Sequence, residues 1–255
     1  MRTLLLRRLR LPLGLDHKRC KCGRKLDAQG DHRAACSTVG VLKVRAIPQE
    51  RAWARVCREA GGRVTTNRRV ADLNLGAQRQ QREDNRSLEV VVQGLPVHHG
   101  AQVAVDATLV SPLKRNGEAR PKADWLDGAA LQAAQKDKET RYPELLDARR
   151  CKLLVAGQET GGRWSEEAYL FLVELARAKA DSATRVLRGA TATAYLRRWT
   201  ALISKAAMES LVDTLLYGTA RNTELWYQPE PPLGTVLGED RCGEGLAHSR
   251  MPGRA

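Results

Sequence analysis

Aromatic residues are scarce in this sequence: they make up 4% of its 255 residues, and Phe171 is the single phenylalanine. Proteins that hold single-stranded nucleic acid by base stacking need several aromatic side chains along one groove. Stacking is therefore excluded as the main way in which this chain could bind nucleic acid.

Long apolar runs are also lacking. The run at residues 4–6 is too short for a signal peptide, and no stretch approaches the roughly 20 apolar residues of a membrane-spanning helix. The first 15 residues are instead rich in arginine and free of acidic residues. We interpret them as a basic arm, with an organelle presequence as the alternative.

The six cysteines do not show the spacing of a disulfide framework, because only Cys20, Cys22 and Cys36 lie close together in the sequence. Disulfides are rare in the reducing compartments of the cell. We therefore expect the protein in the nucleus or the cytoplasm. The sequence also contains no internal repeat and no phosphate-binding glycine loop.

Positive charge is concentrated in the amino-terminal quarter of the chain. Residues 1–70 hold 18 Lys and Arg against 5 Asp and Glu, a net charge of +13, whereas the rest of the chain holds 25 against 24 and brings the total to +14. A basic block attracts polyanions and gives a salt-dependent affinity for phosphate backbones. We expect nucleic acid, DNA or RNA, as the partner, and an anionic membrane surface is the lesser alternative.

One short segment carries four metal-binding side chains, Cys20, Cys22, His32 and Cys36. Zn²⁺ prefers a tetrahedral set of Cys and His ligands, and a segment with so few apolar residues could scarcely fold without a metal. The spacing predicts a structural zinc knuckle that positions nucleic acid. His17 lies close enough to compete with His32 for the fourth ligand position.

A carboxylate interrupts an apolar run at residues 103–110, which has the composition of a buried strand. A buried carboxylate is costly unless it is paired, hydrogen-bonded or bound to a cation. Asp106 could cap a turn at the end of the strand, or it could hold a metal. The run at residues 70–75 contains a second such carboxylate, Asp72, and we predict that both bind Mg²⁺, which prefers oxygen ligands.

A predicted helix over residues 125–142 places Lys138 on the same face as Leu131, Ala134 and Tyr142. That face should pack against the sheet, so Lys138 could approach the two carboxylates and orient water or a phosphate. A solvated lysine is the alternative. Glu50 and Glu89 are each candidates for a third metal ligand, between which the sequence does not decide.

These motifs together resemble the restriction-like endonuclease region, of the PD-(D/E)xK type, that follows the reverse transcriptase in site-specific non-LTR retrotransposons. The resemblance runs from about Cys20 to Leu175 and rests on the CCHC knuckle, on residues 70–73 in place of the Pro-Asp motif, and on residues 105–108 and 138–142. Ala71 replaces the motif proline, and the lysine stands on the helix after the acidic strand, as in that family.

The resemblance implies an α/β fold with a restriction-endonuclease-like mixed sheet flanked by helices. It implies a Mg²⁺-dependent DNA endonuclease in which Asp72, Asp106 and Lys138 are catalytic, and a reverse transcriptase as the original partner, a domain that this sequence does not contain. An inactive, zinc-dependent nucleic-acid-binding remnant is the alternative function. A targeting or assembly factor with a basic presequence is a third.

We predict four regions along the chain: a basic arm and zinc knuckle over residues 1–40, a restriction-endonuclease-like domain over 41–180, a helical extension over 181–217, and a disordered tail over 218–255. Within the second region, the pattern predicts a helix that begins near Pro48 and ends at Gly61. Strands are predicted over residues 63–67, 69–75, 88–92 and 103–110, and a further strand begins at Cys151.

Overall fold

The computed structural model describes residues 2–14, 19–73, 84–146 and 148–216. In these residues the chain forms helices and strands in the order α1 (Arg2–Arg8), α2 (Asp31–Ala35), α3 (Val39–Glu59), β1 (Arg63–Arg69), β2 (Ser87–Gln93), β3 (Gln102–Val110), α4 (Ala129–Arg141), α5 (Pro143–Leu146), β4 (Cys151–Glu159), α6 (Glu166–Ala180) and α7 (Arg188–Leu215). The competing ligand candidate His17 and the predicted tail lie outside the described residues.

The strands form a four-stranded mixed sheet in the order β1-β2-β3-β4. Neighbouring strands are antiparallel from β1 to β3, whereas β3 and β4 are parallel along their full length. Parallel neighbours need a crossover connection, and α4 and α5 supply it here. The expectation of an α/β fold with a mixed sheet flanked by helices is confirmed.

Helices cover both faces of the sheet. Ala104 of β3 packs with Tyr142 and Leu145, which lie at the end of α4 and in α5. Leu109 of the same strand packs with Leu211 of α7 on the other side. A strand that is covered on both faces is mostly apolar, as β3 is. Its one carboxylate, that of Asp106, therefore lies inside the protein.

The second strand that we predicted over residues 69–75 does not form in its described part, which ends at Leu73. β1 continues to Arg69, and Val70–Asp72 forms a 3₁₀ turn. Val70 and Leu73 are both buried in one apolar cluster, and a spacing of three residues suits a helical turn rather than a strand. The prediction was wrong because the apolar period in this segment is three, not two.

Two helix boundaries also differ from the predictions. α3 begins at Val39, nine residues before Pro48, because Val41 is buried against Cys20 and Cys36. α4 begins only at Ala129, after Gly128 in the left-handed conformation, and residues 121–128 form turns instead. Neither change moves Lys138 off its helix.

The predicted basic arm lies on the protein body instead of extending from it. Residues Leu4 and Leu13 pack against a cluster that includes Leu215 of α7. Arg7 and Arg10 both form ion pairs with Asp31, at 3.1 and 3.0 Å. Part of the basic charge is therefore already neutralised within the fold.

None of the helices in the described ranges combines the length and the apolar character needed to cross a membrane.

Gly30 lies where the basic arm packs against α7, so a substitution there tests how tight this packing is. Its φ is +76°, and a Cβ atom there would lie 2.6 Å from Leu215 and 2.8 Å from Leu13. We expect Gly30→Ala to lower the free energy of unfolding by about 2–3 kcal/mol, as left-handed strain and overpacking add. Gly128→Ala is the matched control, since its φ is +78° with nothing within 4 Å. Equal losses in urea denaturation would show that the packing around Gly30 is not tight.

Candidate functional site

The four residues of the predicted knuckle come together. One ligand atom from each of Cys20, Cys22, His32 and Cys36 lies within 4.8 Å of all the others. The Cys20 and Cys36 sulfurs are 3.7 Å apart, and the Cys22 sulfur is 3.2 Å from Nε2 of His32. Tetrahedral zinc ligands are separated by about 3.5–3.8 Å, given Zn–S and Zn–N bonds of about 2.3 and 2.0 Å. This Cys/His cluster could therefore bind a metal ion such as zinc.

Local backbone geometry positions the ligands. Gly23, with φ +85°, closes a tight turn by donating its N–H to the carbonyl of Cys20. Asp27 accepts hydrogen bonds from the backbone N–H groups of Asp31 and His32 at 2.8 and 2.7 Å, which fixes the start of α2. The two halves of the cluster are thus held by a turn and by the start of a helix.

The imidazole of His32 is oriented by the protein. Its Nδ1 lies 3.2 Å from the carbonyl oxygen of Arg115, so that Nε2 faces Cys22. Burial lowers the pKa of His32, which favours the neutral ring that a metal requires. A backbone carbonyl behind a ligating histidine is a common way to fix its tautomer.

A buried arginine attaches the Cys/His cluster to the body. Arg45 of α3 donates to the carbonyls of Arg33 and Cys36 at 3.3 and 3.2 Å, and burial lowers its pKa to about 10. Both acceptors lie at the end of α2. The Arg33 carbonyl also accepts from the N–H of Cys36 at 3.3 Å, and Arg45 adds a side-chain donor. The cluster is therefore fixed on α3.

Removal of one cysteine thiolate tests whether the Cys/His cluster binds a metal ion. Cys20→Ser should reduce bound zinc from one ion per chain to well below that, because a closed tetrahedral site needs all four ligands. Cys57→Ala is the control, since Cys57 is a buried free cysteine outside the cluster. Equal zinc content in both purified variants, measured by elemental analysis, would contradict the assignment.

The second site is built around Asp106, which is 1% exposed. Nζ of Lys138 lies 2.7 and 2.8 Å from its two carboxylate oxygens, and the Thr108 hydroxyl donates to Oδ1 at 3.0 Å. Lys138 reaches the strand from α4, as the helical pattern predicted. A buried charge must be paired, and here the partner is on the neighbouring helix.

Glu89 of β2 lies beside Asp106. Val90 is paired with Val105, so the same antiparallel register sets Glu89 opposite Asp106. Its carboxylate accepts a hydrogen bond from the N–H of Ala107 at 3.1 Å. Burial raises the pKa of Glu89 to about 8, the charge of Asp106 adds to this, and Lys138 opposes it.

Glu50 of α3 belongs to the same electrostatic group. Burial raises its pKa, and the nearby Asp106 carboxylate adds to this while Arg51 opposes it. Glu50 in turn contributes to the raised pKa of Glu89. Glu50 therefore lies within electrostatic range of Asp106. We call this group of residues the carboxylate cluster: Glu50, Glu89, Asp106 and Lys138.

In the described part of the chain no contact joins Asp72 to the carboxylate cluster, so the prediction that it meets Asp106 stays a prediction. It lies on the exposed 3₁₀ turn beyond β1, where its backbone carbonyl accepts a hydrogen bond from Arg68 at 2.7 Å. β2 separates β1 from β3, so two strand spacings of about 4.8 Å lie between the strands. Among the described residues, no hydrogen bond or ion pair joins Asp72 to Asp106, Glu89 or Lys138.

Glu89 carried the same sequence signal as Asp106, a carboxylate within an apolar β-branched run, here Leu88 to Val92. What the sequence could not supply was the strand pairing that sets Glu89 opposite Asp106.

The Cys/His cluster is more compact than the carboxylate cluster: within the described ranges, no second group of three metal-binding side chains is drawn together as closely.

Comparisons with protein-family models, with curated proteins and with solved structures gave no match to this chain. The Cys/His cluster and the carboxylate cluster are therefore the basis for the function that we propose.

The raised pKa of Glu89 makes stability depend on pH. Between the unfolded value of about 4.5 and the folded value of about 8, the native state holds a proton that the unfolded state has lost, so stability falls as pH rises. In magnesium-free buffer, Glu89→Gln should be as stable as the parent at pH 5 and more stable at pH 9, on the order of 2–4 kcal/mol.

Urea denaturation at the two pH values measures this difference. Glu118→Gln is the control for the same change at a fully exposed carboxylate. A Glu89→Gln variant whose stability relative to the parent does not change between pH 5 and pH 9 would show that Glu89 is not held protonated.

Proposed function

We propose that this chain is a Mg²⁺-dependent DNA endonuclease of the restriction-like kind, which hydrolyses a phosphodiester bond at the carboxylate cluster. Asp106 and Glu89 would hold the metal ion, Glu50 would assist, and Lys138 would orient the attacking water or the scissile phosphate. The Cys/His cluster would hold a structural zinc ion. The observation that carries the proposal is the meeting of Asp106, Glu89 and Lys138 inside the sheet.

Electrostatics supports a cation at this position. Carboxylates from α3, β2 and β3 lie within electrostatic range at this position, and the ammonium group of Lys138 forms an ion pair with one of them, Asp106. Burial and mutual repulsion disfavour the charged forms, as the raised pKa values of Glu50 and Glu89 show. A set of oxygen ligands with excess negative charge suits a hard divalent cation, and perturbed carboxylates of this kind cluster at functional sites.

The chain holds its carboxylates in place by its own hydrogen bonds. Thr108 fixes one oxygen of Asp106, and the N–H of Ala107 fixes one oxygen of Glu89. Such support orients ligands before substrate arrives. A magnesium ion bound there would lower the pKa of a water molecule and neutralise charge on the reacting phosphate. The side chain of Lys138 is 23% exposed, so its ammonium group can donate to water or phosphate while it remains close to Asp106.

The retroelement origin is part of the same proposal. The mixed sheet flanked by helices, the four-residue Cys/His cluster and a lysine on the helix after the acidic strand agree with the resemblance to the nucleases of non-LTR retrotransposons. The carboxylate from the neighbouring strand is Glu89, however, and not Asp72. In that setting the enzyme would nick target DNA and expose a 3′ end for reverse transcription.

One observation favours a non-catalytic remnant as the second candidate. Lys138 contacts both oxygens of Asp106. In a purely structural role, this ion pair would simply neutralise the buried carboxylate. Nucleic-acid binding by the zinc-containing region would then be the remaining function.

Plasmid nicking in Mg²⁺ separates the two candidates. Asp106→Asn and Glu89→Gln should each reduce the rate about a hundredfold or more, because each removes a proposed metal ligand. Asp72→Asn is the matched control, and it should stay within about twofold of the parent, since Asp72 is exposed and outside the cluster. Nicking that survives Asp106→Asn would rule out the proposed site, and a parent that never nicks DNA would favour the remnant.

A further inference from the structure

A cleft of about 670 Å³ opens at the end of the sheet where β2 ends and β1, β3 and β4 begin. Its lining includes Arg63 at the start of β1, the turn of His98 and His99 before β3, and basic residues around the start of β4. These last residues are Arg149, Arg150 and Lys152. The cleft is formed by strand ends, so its side chains are held by the sheet.

The lining of this basic cleft is entirely without acidic residues. Arg63, Arg149, Arg150 and Lys152 are all exposed, and none of them takes part in an ion pair within the described part of the chain. Four cations around one concave surface attract an anion more strongly than the same charges spread over a convex face.

Some other arginines of the protein are neutralised within the fold. Arg7 and Arg10 are neutralised by Asp31, and Arg198 by Glu59. The cations of the basic cleft keep their charge available for a ligand. His98 and His99, also exposed, add ring N–H donors that can bind phosphate oxygens.

We propose that the basic cleft binds the phosphodiester backbone of a nucleic acid, as a contact site separate from the carboxylate cluster. Gln102, at the edge of the cleft, is four residues from Asp106 along β3, a distance of about 13 Å. One turn of duplex is about 34 Å long, so a single duplex is long enough to contact both sites. The inference shares the nucleic-acid partner with the proposed function but does not require cleavage.

The test compares two double variants in their binding to a short DNA duplex, in buffer without Mg²⁺ so that cleavage plays no part. Arg149→Ala with Arg150→Ala removes two cations of the cleft. Arg185→Ala with Arg197→Ala removes two exposed arginines elsewhere on the protein. Fluorescence anisotropy over a range of salt concentrations gives the affinity and its salt dependence.

We expect the cleft variant to bind DNA about tenfold more weakly at 0.1 M salt, with the slope of log affinity against log salt reduced by about 1–2. The control variant should stay within about twofold of the parent in affinity. An unchanged affinity and slope in the cleft variant, or an equal loss in the control, would overturn the inference. Thermal melting of both variants checks that they are folded.

A second arm distinguishes a nucleic-acid backbone from a small phosphate ligand. Inorganic phosphate, added at constant ionic strength, should not displace the duplex at millimolar concentration, because a duplex contacts several cations at once. Displacement of the duplex by phosphate at millimolar or lower concentration would show that the cleft binds single phosphates instead. Failure of the nicking assay with retained cleft-dependent binding would overturn the proposed function alone, whereas nicking without such binding would overturn this inference alone.

Discussion

The ion pair between Lys138 and Asp106 constrains the arrangement of this protein more than any other contact. A carboxylate in the middle of a sheet that is covered on both faces cannot stay charged without a partner. The partner comes from α4, so this helix must cross the sheet with Lys138 above β3. That crossing also connects β3 to β4 in parallel, whereas the pairing of β2 with β3 sets Glu89 beside Asp106.

The parts of the site that were predictable are those whose signal is local. A carboxylate inside an apolar run marks Asp106, helical spacing puts Lys138 on the buried face of α4, and clustered cysteines with one histidine mark the metal-binding segment. Each of these signals needs only a few neighbouring residues. The mixed sheet flanked by helices was expected from the resemblance that these motifs carry.

The errors came from features that depend on distant residues. Asp72 looked equivalent to Asp106, but Val70 and Leu73 are buried together with Leu88 and Tyr142, and this packing forms a turn where we predicted a strand. The start of α3 moved to Val39 because that helix packs on the cysteines. Counting charge along the chain gave a basic amino-terminal block. It missed the cleft, whose arginines come mainly from a charge-balanced region and meet only when the strand ends are aligned.

Arg45 has a consequence for how the chain assembles during its synthesis. The residue bonds to Thr214 across 169 positions, and the carbonyl that orients His32 lies 83 positions away. Contacts of such separation form slowly, because a long loop must close first. The cysteine-rich segment is synthesised well before α7, so the contact of Arg45 with Thr214 can form only after α7 has emerged from the ribosome. The link between Arg45 and α7 therefore forms late, after the local bonds of Arg45 to Arg33 and Cys36, which span 12 and 9 positions.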